Sequence, residues 1–207
     1  MTLSPRNAGE IALRLLIGLP ILLLAAWYWG SYYVHVFLPL YREVLSVVLS
    51  GIDIKPFGII REHEYRLIAP YVVEAMQVIH GHVISRNLDG SVQAPIYYAL
   101  IHPIMLSVAA LAWPSLSWKG RVARLLISLP ILVVLEAVDI PLVIYSSINE
   151  ILAQTYDPNY LIAKPVDWVR VLEGGGRFAL RIAGAVVAAE LHKVMNGLAT
   201  CTVRPAV

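Results

Sequence analysis

The chain has 207 residues, 58% of them hydrophobic and only 14% charged, with a mean hydropathy of +0.70. A soluble domain of this length carries about a quarter charged residues. So little charge cannot clothe a globule in water, and lipid must face much of the surface. The net charge is +2, but the basic residues stand at the ends of hydrophobic runs and form no nucleic-acid surface. The only cysteine, Cys201, excludes an internal disulfide and any multi-cysteine metal site.

The first hydrophobic run extends from Ile11 to Leu40, interrupted only by Arg14 and His35. About 20 helical residues cross the hydrocarbon, so the run is long enough to span with some tilt. Trp27, Trp29, Tyr32 and Tyr33 form an aromatic belt at its far end. Leu22 to Gly30 reads LLLAAWYWG, with bulky rings where a signal peptidase needs small residues, so the run is expected to be an uncleaved anchor. Tyr41 to Ser50 follows, with Leu45, Val48 and Leu49 on one face, and predicts a short helix on the membrane surface.

Gly51 to Pro95 is the one substantial polar region. Ile52 to Lys55 alternates, as does part of Ile60 to Ile68; Val72 to Ile84 is rich in β-branched residues, and Arg86-Asn87-Leu88-Asp89-Gly90 supplies turn residues. Two to four strands are expected, too few to bury a core of their own, so the sheet should rest on the membrane helices or on a partner. Further spans are predicted over Ile96–Pro114, Leu125–Ser147 and Gly175–Gly197. A basic loop, Ser117 to Arg124, separates the second from the third, and a polar stretch, Asn149 to Glu173, separates the third from the fourth.

The expected fold is therefore all-α membrane: four transmembrane helices with a small extracytoplasmic β-rich insertion between spans 1 and 2. Residues 1–50 form the N-terminal anchor and interfacial helix, 51–95 the β-rich segment, and 96–207 a three-span helical region. Arg6, then Lys119, Arg121 and Arg124, then Lys193 and Arg204 fall on one side of such a topology. The positive-inside rule makes that side cytoplasmic, with both termini there.

Ionisable groups within spans are costly. Glu136 and Asp139, three apart, share a face of the third span; Arg177 and Arg181, four apart, share a face of the fourth. Counted at ~1.5 Å per residue, Asp139 lies about 12 Å in from Ser147 and Arg181 about 9 Å in from Gly175. Asp139 is thus expected opposite Arg181, with Glu136 within reach of either arginine, as charge pairs that staple the two helices. Gly174 to Gly176 would let those helices approach closely, and Pro141 would kink the third span and free a carbonyl.

Elsewhere the chemistry is sparse. His80-Gly81-His82 has the spacing of two ligands on one side of a strand, with Glu74 and Met76 on that side and His63 a third candidate from another strand. These three histidines are the only candidate metal ligands, and a solvated or partner-facing strand accounts for them as well. His35 and His102 both lie towards the outer side, but at depths that match poorly for haem ligation. Cys201 follows the last span, nine residues after His192. There is no GxSxG, HExxH, P-loop or dinucleotide fingerprint, so no catalytic or cofactor-binding residue is assigned and no cofactor is expected.

A membrane anchor, a strand-rich outer segment, a span opening Gln93-Ala94-Pro95-Ile96-Tyr97-Tyr98 and closing Leu111-Ala112-Trp113-Pro114, a basic loop, and the Leu135–Pro141 span follow one another. Over roughly residues 15–145 this order resembles the exosortase-associated family of small membrane proteins. Exosortases themselves use a membrane cysteine, arginine and histidine; here Arg177 and Arg181 precede His192, but no cysteine lies in a span. The resemblance implies an accessory role rather than the enzyme's chemistry. The expected function is a non-catalytic accessory or assembly subunit whose partners are other membrane subunits and lipid. An intramembrane, sortase-like transferase built on Glu136, Asp139, Arg177, Arg181 and His192, or a proton-coupled transport component, stands as the alternative.

Overall fold

A computed structural model describes residues 5–79, 82–112, 117–156 and 170–201. The chain is mostly helical with a small sheet. Helix α1 runs from Pro5 to Val48, α2 from Tyr97 to Ala112, α3 from Trp118 to Tyr156 and α4 from Arg177 to Cys201. Two of these, over Gly9–Val48 and Trp118–Thr155, are long and apolar enough to cross a membrane. At 16 residues, α2 is ~24 Å long, short of a hydrocarbon layer of about 30 Å. Charged residues at 177, 181, 190 and 193 punctuate α4.

Helix α1 differs from expectation at its end. The separate surface helix expected over Tyr41–Ser50 is instead the last turns of α1, which continues unbroken to Val48. Its apolar face meets a core: Val34, Tyr41 and Leu45 are all buried, at spacings of seven and four, as is Leu49 just past its end. A helix end that packs on protein has no reason to stop where the bilayer stops. Helix α3 likewise passes through Pro141 and absorbs Asn149–Tyr156, part of the expected polar loop.

The strands are β1 (Ile52–Ile54), β2 (Gly58–Arg61), β3 (Tyr65–Val73), β4 (Gln77–Ile79), β5 (His82–Ile84) and β6 (Leu88–Pro95). Strand β3 is central, with β1 and β2 along one edge and β6 along the other, all antiparallel. Its burial alternates strictly, Leu67, Ala69, Tyr71 and Val73 facing inward. The expected turn shrinks to Arg86-Asn87, where Asn87 takes φ 65°; Asp89 and Gly90 are already strand, opposite Val72 and Tyr71. Any side chain at position 90 would overlap the Tyr71 ring. Burial pushes the Tyr71 phenol above its ordinary pKa. On the surface, the hydrogen bond from Lys55 Nζ to Asp53 holds the ammonium above its usual range.

The chain divides into two compact units. The sheet-bearing unit comprises Trp29–Leu100 and Glu136–Arg177. Its apolar core joins the inner sheet face to Val34, Tyr41 and Leu45 of α1, to Leu49, and to Ile140, Ile144, Ile148 and Leu152 of α3. The small sheet thus rests on helices of its own chain, each buried Leu, Ile or Val contributing about 1.5–3 kcal/mol. The helical unit comprises Met1–Tyr28, Ile101–Leu135 and Phe178–Val207. There Gly184 of α4 sets the helix spacing: a Cβ on it would lie 3.1 Å from Ile131, 3.4 Å from Leu135 and 3.6 Å from Leu106. The close approach expected of Gly174–Gly176 is not where those glycines act. Gly174 and Gly175 have nothing within 4 Å of an added Cβ, and Gly175, at φ 115° inside a π-helical turn over Leu172–Gly176, serves the bend into α4.

Candidate functional site

The charged residues expected within apolar runs are all buried: Glu136 and Asp139 of α3, and Arg177 and Arg181 of α4, are each at most 6% exposed. Within the sheet-bearing unit, Glu136 accepts from two phenols of α1. Tyr33 Oη donates to Oε1 at 2.7 Å and Tyr41 Oη donates to Oε2. These tyrosines lie on one face of α1 with Phe37 between them, ring centroids 4.9 Å from Tyr33 and 6.2 Å from Tyr41. The i, i+4, i+8 spacing builds an aromatic ladder whose two end hydroxyls converge on one carboxylate.

One turn along α3, Asp139 pairs with Arg177. The Arg177 Nε donates to both carboxylate oxygens at 3.0 Å, and the guanidinium carbon lies 4.0 Å from the Tyr98 ring centroid. An ion pair this dry needs its charges matched, and the aromatic face adds cation–π attraction on the remaining side. The expectation placed Asp139 opposite Arg181, and the pair seen within this unit is Asp139 with Arg177. Arg181 belongs to the helical unit, where its guanidinium carbon lies 5.5 Å from the Phe178 ring centroid.

The three partner phenols, Tyr33, Tyr41 and Tyr98, went unassigned in the sequence. Tyr33 reads as a belt residue and Tyr41 as part of a surface helix, so only the 33/37/41 spacing could have signalled a shared face. Beside them, α1 and α3 leave an apolar groove of about 410 Å³, walled by Val44, Val48, Ala137, Val138 and Pro141. It offers a hydrophobic surface with little to orient a polar reactant.

The histidine candidates separate. His63 is exposed, in the bend between β2 and β3 rather than on a strand. His82 opens β5 and pairs with Ile79 of β4, so 79 and 82 face each other on antiparallel strands. Glu74 and Met76 fall between β3 and β4, not on a strand that carries His82. His80 lies outside the described residues. Among the described residues no group of three His, Cys, Asp or Glu side chains could hold a metal ion. His35 is exposed on α1, and His102 is buried in α2. His192 is buried within α4, and Cys201 is the last residue of that helix. Compared with known proteins, the chain matches no protein-family model, no curated protein and no solved structure.

Proposed function

We propose that the chain is a multi-pass protein of a bacterial inner membrane and serves as a non-catalytic accessory or assembly subunit of a larger membrane complex. In this reading α2 and α4 complete four crossings, both termini are cytoplasmic, and the sheet stands on the outer side. The exposed leucines and isoleucines of α1 between Leu13 and Leu24 support a lipid contact, since water would not tolerate so continuous an apolar surface.

The observation that carries the accessory role is the saturation of the two carboxylates by the chain's own donors. Glu136 holds two phenols and Asp139 holds a guanidinium, an arrangement that ties α1, α3 and the start of α4 together. A carboxylate engaged in this way is a fastening, not a base awaiting a substrate. The resemblance to exosortase-associated proteins agrees with the role. The test is to extract the native protein in mild detergent and identify what accompanies it, then replace the pair with apolar residues as Asp139→Leu/Arg177→Met. An accessory subunit keeps its partner in the double variant. Normal abundance and assembly with loss of a reaction would establish the transferase reading instead.

A further inference from the structure

In the sheet-bearing unit, the groove of about 410 Å³ between α1 and α3 has no part in the fastening of Glu136 and Asp139. Val44 and Val48 of α1 line it one turn apart, and Ala137, Pro141 and Tyr145 of α3 line it on successive turns. The short side chains at 137 and 141 open a channel between bulkier neighbours. Among the described residues that line it, Tyr145 alone has a polar side chain, so nothing there rewards a charged guest. At the rim Val48 is 55% and Val138 44% exposed. An apolar concavity of this size offers water few hydrogen bonds and suits an apolar guest.

The shape decides between guests. Ala137 to Tyr145 covers ~12 Å along α3, so the volume corresponds to a channel roughly 6–7 Å wide. A helix with its side chains measures about 10–12 Å across, too broad to enter. A single unbranched hydrocarbon chain is narrow enough and can follow the channel along its length. We propose that this groove holds one acyl chain of a membrane lipid. The bilayer as the source of the chain rests on the membrane reading above. Within a bilayer the gain is packing, since the chain exchanges loose lipid neighbours for close-set walls.

The test places the full chain in nanodiscs of phosphatidylcholine doped with a phosphatidylcholine that carries a diazirine along one acyl chain. Illumination and peptide mass spectrometry then locate the labelled residues. Labelling is expected to concentrate on Val44, Val48, Ala137 and Leu142, above that of exposed Leu16 and Leu24. Ala137→Phe fills the channel and should lower groove labelling about tenfold, with Leu16 and Leu24 labelled as in wild type. Should that variant not fold, Val48→Phe narrows the channel from its exposed rim with the same expected result. Groove labelling no denser than at Leu16 and Leu24, or unchanged in a folded filling variant, would overturn the proposal. Disulfide-linked dimers of Val48→Cys/Cys201→Ser in the same discs would also overturn it, because a second copy would then cover the groove. Extraction of the chain from membranes by alkaline carbonate would sink the membrane reading alone. The groove is then tested with palmitate in solution: a higher melting temperature in wild type but not in Ala137→Phe supports it with a free chain as source, and a wild type indifferent to palmitate overturns it.

Discussion

The two halves of α1 are similarly rich in large apolar residues, yet they do opposite things with them. In the first half Leu16 is 73% and Leu24 60% exposed; in the second, Tyr41 and Leu45 are fully buried. The first half is apolar on every side, so no single face is marked for burial. In the second half His35, Arg42, Glu43 and Ser46 interrupt the apolar residues, and Val34, Tyr41 and Leu45 form a buried stripe. That stripe finds the sheet and α3 within its own unit. Hydropathy alone thus does not say whether a helix faces lipid or protein; the angular distribution of its polar residues does.

The largest effect is expected at the buried ion pair one turn along α3 from the acceptor of the stripe's phenols. Asp139→Ala leaves Arg177 buried without its carboxylate and is expected to cost about 3–5 kcal/mol, read from thermal unfolding in detergent. Next, Leu45→Ala should cost about 2–5 kcal/mol by opening a cavity in the core. Leu16→Ala on the exposed half should stay within about 0.5 kcal/mol in the same assay. Equal losses at the two positions would erase the distinction between the halves. Gly184→Leu, in the helical unit, should cost about 1–3 kcal/mol through overpacking against Ile131 and Leu135, while the sheet-bearing unit keeps its proteolytic resistance.

The smallest effect concerns Tyr71. Its folded-state pKa is raised by burial, so the neutral phenol suits the fold and full stability is present below the ordinary phenol value near 10. Stability should fall as pH rises above that value, because the unfolded chain ionises there first. Tyr71→Phe should flatten the profile between about pH 9 and 11, followed by circular dichroism of the sheet signal.

Some of this architecture was readable directly. The alternation expected in part of Ile60–Ile68 falls on the end of β2 and the start of β3, and the need of so small a sheet for a helical support follows from its size. Glu136, Asp139, Arg177 and Arg181 stand out because charge in an apolar run has no cheap explanation. What pairs with each was not readable. Tyr33 and Tyr41 lie about 100 residues from Glu136, and tyrosine near the end of a span is commonplace. Arg177 and Arg181 share a helix face one turn apart, so spacing alone does not single out Arg177 as the arginine whose Nε donates to Asp139. Gly184 was invisible for a related reason: a glycine in an apolar helix is conspicuous only once its neighbours are known.

The central claim is that Asp139 and Arg177 are partners whose value lies in neutralising each other. A double-mutant cycle on Asp139→Leu and Arg177→Met, read by unfolding in detergent, tests it most directly. The account predicts that each single variant is severely destabilised and that the double variant recovers at least about 2 kcal/mol relative to their sum. Additivity to within about 0.5 kcal/mol would contradict it.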